Sequence, residues 1–296
     1  MMEGKKRGSQ KSSTRALMEK YDITAQKRFG QNFLTDEKIL EKIVDAADIT
    51  KDDLVLEIGP GTGALTGKLC ERAGAVRAVE IDKKLIPVLE ETLSGFDNLK
   101  IINSDIMKED LNSLFADDEK KYRDRKIAAN LPYYITTPVL MKILESHLPV
   151  SSVTVMIQKE VADRIKAGPG TKDYGSLSLA VQYYSKPHVV VNVPPECFFP
   201  RPGVGSVVLK MEIYEDKPVK TENEELMFRL IRAAFNQRRK TLVNAVKNYE
   251  GLDFNRDEIE EAVKKIGKKV NVRGEELSLS EFAKMADLFD KGISLC

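Results

Sequence analysis

Apolar and polar positions change period several times along the chain. From residue 35 the period is helical: Ile39, Leu40, Ile43, Val44 and Ala47 share one face, and Thr35 or Asp36 ahead of them is the N-cap. Short β-type runs then take over at Leu54–Ile58, Val76–Ile81, Leu99–Asn103, Ile127–Leu131 and Val153–Ile157, with helical stretches near 63–73, 83–94 and 137–146 between them. Strand–helix alternation with short connections predicts a parallel, doubly wound α/β sheet. Right-handed crossovers place the C-terminal ends of its strands along one edge, where ligands bind. After residue 185 the chain turns extended and proline-rich (Pro194, Pro195, Pro200, Pro202), with one further strand at Val207–Ile213. Pro218 and the acidic run Glu222–Glu225 read as a linker, and everything beyond reads as helix, Leu226, Leu230, Ile231, Ala234 and Phe235 forming one apolar face. Residues 1–20 show no apolar period and read as a disordered basic arm. The expected organisation is an arm over 1–22, a sheet domain over 23–215 and a small all-helical domain over 221–296.

Composition narrows the class. A chain of 296 residues, 42% hydrophobic and 31% charged, is neither disordered nor fibrous and is long enough for two domains. Its three cysteines, Cys70, Cys197 and Cys296, form no CxxC pair. That excludes a disulfide framework and a zinc ribbon, fits a reducing cytosol, and leaves no constellation for a metal. No apolar run approaches the roughly 18 residues of a membrane span, and no hydrophobic leader opens the chain, so a cytoplasmic protein is expected. The formal charge of +1 hides an uneven distribution: residues 1–28, 229–249 and 264–274 together carry +16, and the rest carries −15. Charge clustered in this way binds phosphates or forms a solvated face.

The chemistry lies at the strand ends. The first strand runs into Glu57-Ile58-Gly59-Pro60-Gly61-Thr62-Gly63, a turn whose glycines let backbone approach a ligand closely. Glu80 ends the second strand, placed to accept hydrogen bonds from both hydroxyls of a ribose, and Asp105 follows the third, placed to accept one from an adenine amine. The turn lacks the third glycine of GxGxxG, so a nicotinamide dinucleotide is the weaker reading and S-adenosylmethionine the stronger. The fourth strand ends in Asn130-Leu131-Pro132-Tyr133. An adenine N6 is a poor nucleophile because its lone pair is conjugated into the ring. Acceptors on its N–H groups, from the Asn130 side chain and the Leu131 or Pro132 carbonyl, favour the pyramidal geometry and the developing positive charge. Tyr133 offers a face on which a flipped base stacks.

In series, these motifs resemble the ribosomal RNA adenine N6,N6-dimethyltransferase family over residues 24–290, and within it the bacterial small-subunit branch. Lys27-Arg28-Phe29-Gly30-Gln31-Asn32-Phe33-Leu34 matches the segment that closes over the cofactor in the family, with Asn32 and Leu34 in contact. Gly59, Glu80, Asp105 and Asn130 fall on its other cofactor positions. Asn130–Tyr133 matches its target-amine motif, and Phe198-Phe199-Pro200-Arg201-Pro202-Gly203-Val204-Gly205-Ser206 matches FxPxPxVxS, whose first aromatic flanks the target base. The resemblance implies a seven-stranded, Rossmann-like class I S-adenosylmethionine methyltransferase sheet with helices on both faces. It also implies release of S-adenosylhomocysteine, and double methylation of two neighbouring adenosines in the 3′-terminal hairpin loop of 16S rRNA in the 30S particle. Asp173–Ser178, Gln182-Tyr183-Tyr184 and Phe235–Thr241 resemble segments of the small-subunit enzymes. The large-subunit resistance methyltransferases share the earlier motifs, and an assembly factor whose methylation is incidental is a further alternative.

Arg229, Arg232, Arg238, Arg239, Lys240 and Lys247 lie together without an acid, which points to RNA phosphate contacts that position without reading sequence. A monomer is expected. The same tract read as a bare helix face would be solvated and bind nothing. His147 and His188 stand away from every motif, and Tyr174–Tyr184 reads as core.

Overall fold

A computed structural model describes residues 14–26, 29–116 and 122–292. Most of the basic arm (Lys5, Lys6, Arg7, Lys11), the Lys27-Arg28 pair and Cys296 lie outside the described residues. The first element, α1 (Thr14–Lys20), corrects the reading of a disordered arm over those seven residues. It buries Leu17 and Met18, which join Ile23, Phe33, Leu85 and Val88 in one hydrophobic cluster. Two apolar residues among charged ones are too few to establish a period, and the partners that make this helix stable come from distant sequence.

A two-residue strand β1 (Phe33–Leu34) precedes α2 (Glu37–Ala47). Asp36 caps this helix by accepting from the Lys38 and Ile39 amides, and its five expected apolar positions are all buried. Alternation then proceeds through β2 (Asp53–Ile58), α3 (Ala64–Arg72), β3 (Ala75–Glu80), α4 (Ile86–Thr92), β4 (Leu99–Asn103), α5 (Ser113–Ala116), β5 (Asp124–Asn130), α6 (Thr136–Glu145) and β6 (Ser152–Gln158). The chain continues through α7 (Lys159–Lys166), α8 (Ser176–Tyr184), β7 (Ser185–Val193), β8 (Phe198–Phe199) and β9 (Ser206–Ile213), and finishes in α9 (Glu224–Asn236), α10 (Leu242–Lys247), α11 (Arg256–Lys265) and α12 (Leu279–Asp290).

Seven strands form one sheet in the order β4-β3-β2-β5-β6-β9-β7, parallel from β4 to β6. Strands β3 and β5 flank β2, so successive connections leave in opposite directions and open a crevice at the C-terminal end of β2. All six residues of β2 are buried, as a strand covered on both faces requires. β7 gives the extended stretch after residue 185 a definite place: it is a nine-residue edge strand with Val189 and Val190 exposed, so its apolar residues do not alternate as a core strand's would. A separate ribbon pairs β1 with β8, antiparallel, Phe33 opposite Phe199 and Leu34 opposite Phe198.

Contacts divide the chain into two compact units, one of residues 1–139, 148–158 and 190–208, the other of residues 140–147, 159–189 and 209–296. This division differs from the expected break between 215 and 221. Within the second unit α8 packs with the C-terminal helices: Tyr183 meets Phe228 edge-on at 5.4 Å, Tyr184 stacks on Phe228, and the Tyr174 hydroxyl donates to the Leu277 carbonyl at 3.0 Å. No helix among the described residues is long and apolar enough to cross a membrane.

Candidate active site

The crevice at the end of β2 is a cavity in the first unit whose wall includes Asn32, Leu34, Glu57, Gly59, Glu80, Asp105, Asn130 and Tyr133. Residues from five separate motifs thus converge at one place, as the ends of parallel strands make possible. The glycine turn supplies the floor: Gly59, Gly61 and Gly63 all have positive φ (72°, 61° and 86°), and a Cβ on Gly61 would lie 3.0 Å from the Phe33 ring.

Glu80 is 4% exposed. Its Oε2 accepts from the Gly61 amide at 3.1 Å and its Oε1 from the Asp82 amide at 2.8 Å, so each oxygen keeps a lone pair for a ligand. Burial raises its pKa above the usual carboxylate value, opposed by these backbone bonds. Asp105 is half-buried, one oxygen held by the Met107 amide at 3.0 Å.

Glu57 was overlooked in the sequence. It is buried one residue from the C-terminal end of β2, its Oε2 has no hydrogen-bond partner among the described residues, and burial pushes its pKa up to about 8. A lone acid inside the apolar run Leu54–Ile58 was the available signal. Three carboxyl groups therefore line the cavity, Glu57 among them in its protonated form, and among the described residues no lysine or arginine lines it.

The segment 29–34 is held at this site from two sides. Gln26 and Gln31 both donate to Asp82 Oδ2 at 2.8 Å, a pair of anchors and an acceptor that the sequence did not single out. Asn130 Nδ2 donates to the Asn32 carbonyl at 3.2 Å. That bond fixes the amide: with Nδ2 committed, Oδ1 remains as an acceptor. The Pro132 carbonyl already accepts from the Ile135 amide at 3.2 Å and the Thr136 hydroxyl at 3.0 Å, which leaves the Leu131 carbonyl as the better second acceptor. Tyr133 is half-buried and its hydroxyl shares a 2.7 Å bond with Ser206 Oγ. Tyr134, 51% exposed, stands at the cavity wall with its ring against Gly30.

Phe198 is not brought to the cavity. Pairing with Leu34 turns its side chain into the core beside Leu34, Ile39 and Val208, and it is 5% exposed. Strand alternation instead sends Phe199 outward, 37% exposed, with the Arg15 guanidinium 5.6 Å from its ring centre.

In the second unit the basic tract divides. Arg232 bonds Glu145 at 3.0 Å, and Arg238 bonds Glu275 at 2.6 Å and the Thr171 carbonyl at 3.1 Å. Arg229 is half-buried against Gly251. Arg239, Lys240 and Lys247 are exposed. Among the described residues no group of three or more His, Cys, Asp or Glu could hold a metal ion.

The profile of the family described as "Ribosomal RNA adenine dimethylase" matches residues 23–291. A protein of Lachnoclostridium phytofermentans named "Ribosomal RNA small subunit methyltransferase A" is 55% identical over 276 residues, covering 93% of this chain and 95% of its own length. The crystal structure of a dimethyladenosine transferase from Plasmodium falciparum superposes with a TM-score of 0.70 at 29% identity, covering 88% of this chain and 98% of that one. The 23S rRNA methyltransferase ErmE shares the fold, with a TM-score of 0.62 at 24% identity over 88% of this chain and all of its own.

Proposed function

The chain belongs to the ribosomal RNA adenine dimethylase family, and from that premise we propose that it methylates N6 of two adjacent adenosines, twice each, in the 3′-terminal hairpin loop of 16S rRNA within the 30S particle. The family is described as adenine dimethylases of ribosomal RNA, and the named relatives are small-subunit ribosomal RNA methyltransferases, which together support this reading. The enzyme works as a monomer in the cytoplasm and needs no metal. The observation that carries the reading is the fixed amide of Asn130, whose Oδ1 is left as an acceptor beside a cavity walled by carboxylates.

The cavity fits S-adenosylmethionine better than a dinucleotide. A diphosphate would face Glu80 and Asp105 with no described cation to offset them, and the Gly61 amide is already bonded to Glu80. A ligand with a sulfonium and an ammonium suits that field. When bound, S-adenosylmethionine supplies an activated methyl group on its sulfonium. Glu80 would accept from the ribose hydroxyls and Asp105 from the cofactor's adenine amine, Gly59 would give backbone access, and Asn32 and Leu34 would close the site.

The target adenine enters unpaired and stacks on Tyr133. In the first transfer Asn130 Oδ1 and the Leu131 carbonyl accept from the two N6–H bonds, and in the second one of them accepts from the single N–H that remains, which localises the nitrogen lone pair towards the methyl and stabilises positive charge on N6. No strong base would be required: the pair of the broken C–S bond would leave with the sulfur, and the N6 proton, made acidic by the positive charge, would pass to solvent once the methyl is in place, so an amide suffices to hold the amine in line. Arg229, Arg239 and Lys240 contact RNA phosphates and orient the substrate; Arg232 and Arg238 contribute by tying α9 and the turn after it to Glu145 and Glu275.

Glu80→Ala tests the assignment. It is expected to lower methyl transfer at least 100-fold while leaving small-subunit binding within about twofold, as measured by filter binding. Loss of both together would contradict separate cofactor and RNA surfaces.

A further inference from the structure

We propose that Ser206 is a positioning residue for methyl transfer, acting through the hydroxyl of Tyr133. The inference rests on the reading of Tyr133 as the residue on which the target base stacks. Ser206 and Tyr133 are 73 positions apart and meet in a single hydroxyl–hydroxyl bond of 2.7 Å. The two ends of that bond differ in what holds them. Ser206 opens β9, is 2% exposed and has its backbone in the sheet, so its oxygen is a fixed point. Tyr133 opens a one-turn 3-10 helix, Tyr133–Ile135, in which no residue is fully buried.

The turn's backbone is secured by bonds to the Pro132 carbonyl, but those bonds leave the Tyr133 ring free to rotate about its side-chain torsions. The bond to Ser206 removes that freedom. Burial raises the phenol's pKa, so the hydroxyl stays protonated and the bond persists throughout the neutral range. Tyr134, next in sequence and 51% exposed, shows the alternative, an aromatic at the same cavity without a buried tether. The serine that ends the FxPxPxVxS-like segment is thereby coupled to the tyrosine that ends the target-amine motif. Its oxygen sets the plane against which the adenine lies, and so the angle at which N6 meets the methyl.

A residue of this kind affects turnover more than cofactor affinity. Ser206→Ala, Tyr133→Phe and the double variant are compared with the wild-type chain on undermethylated small-subunit particles, with initial rates, calorimetric affinity for S-adenosylmethionine and thermal midpoints measured for each. Each single change is expected to lower kcat about 5- to 20-fold, since small misplacements of a reacting group are costly. The double variant is expected to match the worse single one, because both remove the same bond. Cofactor affinity is expected to stay within about twofold. Wild-type turnover by Ser206→Ala overturns the proposal, as do single losses that multiply in the double variant, or a fall in kcat matched by equal losses of cofactor affinity and thermal midpoint. A wild-type chain that transfers no methyl to the particle overturns the functional reading and this inference together, whereas an active wild type with an unaffected Ser206→Ala overturns this inference alone.

Discussion

Glu57 holds a proton in the folded protein at a pH where an exposed glutamate has lost it. Burial raises its pKa from 4.5 to about 8, so between those values the native state binds more protons than the unfolded one. Stability from this group is therefore fully present below about pH 4.5 and is lost as pH rises towards 8. Glu57→Gln keeps the shape and removes the titration. In cofactor-free protein its thermal midpoint is expected to fall less steeply than that of the wild type from pH 5 to 8; equal slopes would contradict the assignment. The neighbouring phenylalanines separate in the same way. Phe198→Ala should cost about 3–5 kcal/mol in urea unfolding, because it empties a core position. Phe199→Ala should leave stability within about 1 kcal/mol and instead raise the KM for RNA, since stacking of a base on an exposed aromatic contributes about 1–3 kcal/mol. Reversal of the two effects would restore Phe198 as the aromatic beside the base.

Among the elements, the parallel strands are held partly by an ion pair at their N-terminal ends. Lys126 Nζ of β5 lies 2.9 Å from Asp53 Oδ2 of β2, and both residues are buried. Removing one partner strands a charge, so Lys126→Met should destabilise by about 3–5 kcal/mol in chemical denaturation, and adding Asp53→Leu should recover much of the loss. No recovery in the double variant would show that the lysine stem, not the charge, is what matters. These central strands were legible because burial on both faces leaves a short apolar run between turn residues. The helix α1 was not, since Leu17 and Met18 acquire meaning only beside Phe33, Leu85 and Val88. Strand β7 was not, because an edge position exposes Val189 and Val190 and breaks the pattern a reader looks for. Motif residues at strand ends were readable for a related reason: Gly59, Glu80, Asp105 and Asn130 sit where parallel strands must converge. Glu57 lines the same crevice and Asp82 anchors Gln26 and Gln31 beside it, but Glu57 lies within a buried run ahead of the glycine turn and Asp82 beyond a strand end, so neither stands at the end itself.

For the molecule as a whole, the net charge of +1 conceals two different surfaces. Among the described residues lining the cavity the acids Glu57, Glu80 and Asp105 meet no lysine or arginine, while the second unit exposes Arg239, Lys240 and Lys247. Sequence counting exaggerated the basic tract, because ion pairs formed on folding occupy Arg232 and Arg238 with Glu145 and Glu275, residues far away in the chain. The unit boundary was illegible for a similar reason: Tyr174, Tyr183 and Tyr184 look like sheet-domain residues in sequence and pack on Phe228 and Phe235 in the fold. What remains is a single claim, that this site places methyl groups on adenine N6 in small-subunit RNA. Transfer of labelled methyl from S-adenosylmethionine to undermethylated 30S particles, with 50S particles and 23S rRNA as controls, measures it directly. The predicted result is label in 16S rRNA alone, recovered as N6,N6-dimethyladenosine at two adjacent positions. Label confined to the large subunit, or its recovery in any other nucleoside, would contradict the account.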